Sequence, residues 1–393
     1  MAETIIQNAR VVLPDGLGEN LTVTIEAGKI ARILPKAERQ TQGATVIDAK
    51  GMYLSPGFID LHIHGLHEYL VDRGPGDLAE ICGTLPAYGV TGFLPTVAPR
   101  PAGQDAAFLA TLSKTKSSGT RILGFHLEGP FLALTGALPP EAIRNADEQR
   151  ARSLIAAAQP YKAIFSISPE VENIDRLLPI MTAGGVPAFI THTRASVAQT
   201  RAAIDAGARH ATHFYDVFPL PPETDPGVRP CGTVEAILAD PRVSVDFILD
   251  GEHVDPVAVQ TALACKGPEK VCLVTDAMVG AGSPPGRYAF GEEQVEFKYP
   301  GAPARKVTAD GSRGVLCGSG LTLDQAVRNA VKFLGVAPDQ ALRMACRNPA
   351  AVLGLAGAKG AIAEGYDADL VLLDTDLRVQ KTFLGGELVF AAE

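Results

Sequence analysis

The sequence predicts an α/β fold: a (β/α)8 TIM-type barrel with a small β-sandwich domain formed by both chain termini. Three observations predict it. Eight short apolar runs recur through the middle of the chain, mostly separated by helical stretches, and such alternation builds a parallel sheet. Side chains of the metal-ligating type close several of those runs, which is where a barrel of this kind assembles a site. Both ends of the chain alternate polar and apolar residues in the β manner.

Residues 1–50 read as TIIQNARVVLPDG, LTVTIEAGKIARIL and TVIDAKG, divided by the turn signals PDG, EAGK and DAKG. GAIAEGYDADLVLLD and LRVQKTFLGGELVF repeat this style at the C-terminus. Both ends are therefore expected in one sheet domain rather than as two unrelated flaps. The expected division is a β domain from 1–52 and 356–393, around a barrel spanning 53–355.

The eight apolar runs lie at 57–62, 91–97, 121–127, 163–168, 187–191, 209–213, 244–249 and 271–275. Runs of four to eight bounded by Gly or Pro read as buried parallel strands. DLAEICGTLPAYG, DEQRARSLIAAAQP, ASVAQTRAAIDAG and DPVAVQTALACKG supply helices between them. No GxGxxG follows the first strand, so dinucleotide binding has no support. The Gly/Pro-rich stretch 280–317 reads as a lid with short strands, and the helical segments after it as packing outside the barrel.

The 393 residues suit a barrel of about 250 residues with an added domain. A hydrophobic fraction of 46% argues for a globular chain. The formal net charge of −9 argues against a nucleic-acid or acidic-membrane partner, though not against a small anionic ligand in a local basic pocket. The six cysteines, at 82, 231, 265, 272, 317 and 346, form no CxxC pair and read as isolated thiols of a reducing compartment. With no basic leader and no run of about 18 apolar residues, the expected location is the cytoplasm.

The ligand-type residues are His62 and His64 in GFIDLHIHG, Glu128 in GFHLEGP, His192 in AFITHTRA, His213 in ATHFYD and Asp276 in CLVTDAM. His62 and His64 stand two apart, so a strand presents both on one face. An HxH pair is weak alone and gains weight from the other strand ends. Imidazole with carboxylate suits zinc or iron-type divalent ions. The residues read as a metal-dependent hydrolase.

PGFIDLHIHG, HLEGPFL, the THxxA around His192, ATHFYD, DGEHV, VTDAM, LCGSGLTLDQAV, NPAAVLGL and GYDADLVLLD occur in the order found in one family. The chain resembles the amidohydrolase superfamily and, within it, the N-acetylglucosamine-6-phosphate deacetylases. The resemblance implies that Glu128, His192 and His213 hold the principal metal. It implies a second ion at His62 and His64, with Glu128 bridging. It makes Asp276 the general base that takes a proton from the attacking water and returns it to the leaving amine. His253 in DGEHVDP would meet the substrate. A divalent metal is expected, zinc before iron or another ion, with one or two per chain. A homodimer acting on a small N-acyl amine is expected too. His126 reads either as support for the metal ligands or as a packed core histidine; His67 and His210 read as structural or exposed.

The substrate shell departs from that family. THFYDVF stands where the family has THLFNAM, so Asp216 replaces an amide. Leu138 stands where a histidine is usual. The arginine before the PG pair is missing, with Arg229 a few residues on. Arg194 replaces an asparagine after the fifth strand, and an arginine at a barrel mouth is an anion fork. The expected activity is removal of an acetyl group from an N-acetyl amino sugar, with N-acetylglucosamine 6-phosphate a poor substrate. The alternatives are a related hydrolase of another N-acyl, cyclic amide or phosphate-ester substrate, and a non-catalytic metal- or sugar-binding relative.

Overall fold

The first barrel strand, Phe58–Ile63, is buried along its whole length, as an apolar run facing helices on one side and the barrel interior on the other must be. The computed structural model describes residues 3–35 and 43–393. Seven further barrel strands follow: Val90–Val97, Phe125–Phe131, Ala163–Ile167, Ala188–Ile190, Ala208–Ala211, Ser244–Ile248 and Val271–Val274. Each pairs in parallel with the next in chain order.

Closure joins the eighth strand to the first. The main-chain N–H of Asp276 donates to the His62 carbonyl at 2.9 Å, and Ile63 bridges Ala277 in parallel. The Thr275 hydroxyl donates to Asp60 at 2.7 Å, so a buried carboxylate bonds across the same seam. Burial pushes the Asp60 carboxyl up to about 7 against these hydrogen bonds.

The third strand differs from its expected span. Arg121–Ile122 is a separate short piece and the main strand starts at Phe125. Gly124 marks the break, where a Cβ would lie 2.6 Å from Ile164. Helices alternate with the strands, among them Pro75–Thr84, Glu148–Ala157, Val197–Asp205 and Pro256–Lys266. Ser196 and Gln199 cap Val197–Asp205 reciprocally. Asp255 caps Pro256–Lys266, with proline at the first position.

Both termini enter one eight-stranded sheet. Thr4–Leu13 pairs with Gly16–Glu26 and Tyr53–Pro56, and Tyr53–Pro56 pairs in turn with Leu370–Leu373. Tyr53–Pro56 thus carries the sheet past residue 52. The sheet buries its own cluster, including Ile6, Val23, Leu54, Leu370 and Phe383.

After the eighth strand the chain makes a four-stranded antiparallel sheet: Gly286–Phe290, Glu293–Phe297, Pro303–Val307 and Arg313–Ser319. Its last strand returns to the barrel end, where the Ser319 N–H donates to the Asp276 carbonyl at 2.8 Å. Gly318 has φ +69°, and a Cβ there would meet that carbonyl at 2.7 Å, so glycine is what the close approach allows. No helix among the described residues is long and apolar enough to cross a membrane.

Candidate metal centre

Glu128 sits on the third barrel strand, two residues after His126, so both point inward. Each oxygen of Glu128 faces two imidazoles. Oε1 lies 3.2 Å from His192 Nε2 and 3.0 Å from His213 Nε2. Oε2 lies 3.1 Å from His64 Nε2 and 3.6 Å from His62 Nε2. Asp276 Oδ1 stands 3.4 Å from His62 Nε2 and 3.5 Å from His64 Nε2. All six residues are buried. The six expected ligand and base positions therefore meet in one cluster.

The donor set fits a metal. A tetrahedral ion with bonds of about 2.0–2.1 Å holds its donors about 3.3–3.4 Å apart, and the contacts above bracket that edge. Two groups of three offer ligand atoms within 4.8 Å of one another: His62, His64 and Asp276, and His62, Glu128 and His213. His192 joins the second through Glu128 Oε1.

The electrostatics also call for a cation. Burial disfavours charge on each group, yet the Glu128 carboxylate outweighs it at His64, raised to about 9, and at His213, raised to about 10. Glu128 is held well below the usual carboxylate range against its own burial, by His62 and by hydrogen bonds from His192 and His213.

The backbone turns sharply at these positions. His192, His213 and Asp276 have φ of +48°, +33° and +46°, a region that residues with a Cβ seldom occupy. Such strain gathers at functional sites where the surroundings enforce it. At His213 the enforcing contact is Asp246, whose Oδ1 accepts the His213 N–H at 2.5 Å. At His192 the ring is fixed by Nδ1 on the Leu134 carbonyl at 3.0 Å, which turns Nε2 toward Glu128 as the nitrogen that would face a metal. His62 Nδ1 lies 3.3 Å from the Thr212 hydroxyl, which donates to Asp246.

Asp246 escaped the sequence reading. It accepts from Thr212, from the His213 N–H and from His210 Nε2 at 2.8 Å, and so supports two of the ligands. The signal was a carboxylate inside the apolar run SVDFI. Asp60 had the same signal, since Asp60, His62 and His64 form a period-two row. His126 bonds to Ser166 at 2.6 Å and to the Leu61 carbonyl at 3.0 Å, so it packs beneath the cluster. His210 is buried against Ser244 and Asp246.

A cavity of about 280 Å³ opens above the cluster. His253, Asp216 and Leu138 line it together with His64, Glu128, His192, His213 and Asp276. His253 donates through Nδ1 to Asp250 at 2.6 Å, and its buried Nε2 has no hydrogen-bond partner among the described residues. The two arginines lie elsewhere. Arg194 is exposed, and its N–H is held by Glu170 at 2.7 Å beside a separate small pocket. His192, two residues earlier, turns inward and is buried, whereas Arg194 is exposed. Arg229 is 83% exposed and pairs with Glu235 at 3.3 Å. Neither lines the cavity of this chain.

The model of the amidohydrolase family matches residues 302–389. The chain is 33% identical over 390 residues to N-acetylgalactosamine-6-phosphate deacetylase of Escherichia coli O157:H7, covering 98% of each protein. The chain belongs to the amidohydrolase family. It is 32% identical to N-acetylglucosamine-6-phosphate deacetylase of Lysinibacillus sphaericus, over 98% of this chain and 97% of that one. Two solved structures of the family superpose on it with a TM-score of 0.87. One is N-acetylglucosamine-6-phosphate deacetylase from Pasteurella multocida, 26% identical, covering 99% of this chain and 100% of that one. The other is an aspartate-to-alanine variant of the Mycobacterium smegmatis enzyme in complex with N-acetyl-D-glucosamine-6-phosphate, 29% identical, covering 100% of both chains. Amidohydrolases of this kind depend on metal, and the two His, Asp and Glu groups above could hold one.

Proposed function

We propose that this amidohydrolase removes the acetyl group from an N-acetyl amino sugar. The carrying observation is the Asp276 carboxylate standing on the cavity wall 3.4–3.5 Å from His62 and His64, opposite the pair His192 and His213 on Glu128. Full-length relatives named as amino-sugar-phosphate deacetylases support the reading.

Glu128, His192 and His213 would hold the principal divalent ion, and His62 and His64 a second with Glu128 shared. Zinc suits this imidazole and carboxylate set best. A divalent ion there supplies Lewis acidity, polarising the amide carbonyl and lowering the pKa of water toward about 7. Asp276 takes the proton from the attacking water on the cluster side. The same carboxyl, now protonated, delivers that proton to the departing nitrogen. His253 contacts the amine half of the substrate through Nε2. Burial of all these groups keeps bulk water from competing for their hydrogen bonds.

The reading takes the enzyme to be a cytoplasmic homodimer with a small-molecule substrate and no nucleic-acid partner, in line with its −9 charge. Its test is acetate release by zinc-loaded enzyme from a panel of N-acetylated amino sugars and N-acetylated amino acids. Release from the sugars is expected. Turnover of the amino acids alone would overturn the assignment.

A further inference from the structure

Thr212 joins the two halves of the cluster. It precedes His213 in the chain, and its hydroxyl lies 3.3 Å from Nδ1 of His62 on the first strand. The same hydroxyl lies 3.1 Å from Oδ2 and 3.3 Å from Oδ1 of Asp246. Thr212, His62 and Asp246 are all fully buried, and a buried polar group left without a partner is costly.

A threonine hydroxyl has one proton to give and lone pairs with which to accept. A carboxylate takes that proton in preference to a neutral imidazole nitrogen, because bonds to ionised acceptors are the stronger ones. Asp246 is held in place as an acceptor by the His213 N–H at 2.5 Å and by Nε2 of His210 at 2.8 Å. The Thr212 oxygen is then left to accept, and it calls for a proton on Nδ1 of His62. A neutral His62 protonated there carries a bare lone pair on Nε2. That lone pair faces Oδ1 of Asp276 at 3.4 Å and Oε2 of Glu128 at 3.6 Å, with Nε2 of His64 at 3.1 Å. Acceptors this close repel one another unless a cation lies among them. Without the Thr212 bond the proton is free to move to Nε2, where it donates to a carboxylate and fills the place of the ion.

We infer that Thr212 is the positioning residue for the ion at His62 and His64. Its hydroxyl accepts from Nδ1 of His62, keeps Nε2 as a lone pair and so selects a metal over a proton at that position. The inference rests on the proposal that His62 and His64 hold a second ion. The His213 N–H reaches Asp246 by its own bond, so removal of the hydroxyl acts on the His62 side alone.

The test compares stepwise zinc dissociation constants and ions bound per chain in the parent, Thr212→Val and Thr212→Ser, by zinc titration and native mass spectrometry. Valine keeps the shape and removes the hydroxyl; serine keeps the hydroxyl. Thr212→Val is expected to weaken the second zinc by about 10–100-fold, the usual loss when a partner of a ligating histidine is removed, with the first zinc bound as in the parent. Thr212→Ser is expected to bind both as the parent does. An unchanged second constant in the valine variant, equal weakening of both ions, or a serine variant as weak as the valine one overturns the inference. Nitrogen-15 spectra of histidine in the zinc-loaded parent, with His62 assigned by its absence in His62→Asn, are expected to show its proton on Nδ1. A proton on Nε2 overturns the inference whether or not the valine variant folds. A parent that binds a single ion overturns the second-ion reading and the inference with it, and leaves the deacetylase reading to its own test by acetate release.

Discussion

The main-chain N–H of Asp276 donates to the carbonyl of His62 at 2.9 Å, and the Asp276 carboxylate lies 3.4 Å from the imidazole of the same histidine. One contact closes the barrel and the other sets the proposed base against the proposed ligands. The first strand and the eighth are far apart in sequence, so closure is what brings them together. The positive φ at Asp276 is held by that bond and by the Ser319 N–H on its carbonyl.

Asp276→Asn keeps the size of the side chain and removes its basicity. Metal content should stay at the parent level while kcat falls by at least about 10²–10⁴, the usual contribution of positioned proton transfer. Elemental analysis alongside steady-state kinetics checks it. A variant within about tenfold of the parent would mean that another group moves the proton.

His192→Ala and His213→Ala each take a nitrogen from Glu128 Oε1. Both variants should lose the principal ion and nearly all turnover, because three protein ligands are the usual minimum for a catalytic zinc. Parent-like metal content in both would remove these histidines from the site.

His62→Ala and His64→Ala should lose at most one ion per chain and keep the one beside His192 and His213. Metal stoichiometry by mass spectrometry under native conditions reads this directly. Loss of every ion in either variant would show a single site shared across the whole cluster.

Asp246→Ala tests the support beneath the ligands. The change leaves His210, the Thr212 hydroxyl and the His213 N–H without their acceptor in a fully buried setting. Each unsatisfied buried group costs about 1–3 kcal/mol. A Tm lowered by several degrees and weaker metal affinity are expected together. Unchanged values for both would show that water or a neighbour takes over the role.

Arg194→Ala and Arg229→Ala should leave kcat/KM within about twofold of the parent, since exposed substitutions away from a site usually change little. A tenfold loss in either would place that arginine on the substrate by a route that this single chain does not contain.

The barrel was legible because its strands are short apolar runs with ligands at their ends, a pattern with few alternatives. The ligand cluster was legible for the same reason: a histidine closing an apolar run has one place to go in a (β/α)8 barrel. Asp246 and Asp60 were hidden within strands, where a lone carboxylate reads as an interruption until its cross-strand partners are known. Arg194 misled because it stands only two residues after a ligand-type histidine. The left-handed turn at His192 sends the imidazole inward, and four residues on, Ser196 already caps the next helix. Sequence distance from a ligand therefore said little about which side of the mouth the guanidinium would take.

The most direct test of the central claim is a reconstitution titration. The enzyme is stripped with chelator, zinc is returned in steps, and acetate release from N-acetylglucosamine or N-acetylgalactosamine is followed against ions bound per chain. The account predicts no release from stripped enzyme and a rate that rises in proportion to occupancy of the first ion at Glu128, His192 and His213. Full release from enzyme carrying no bound metal would contradict it.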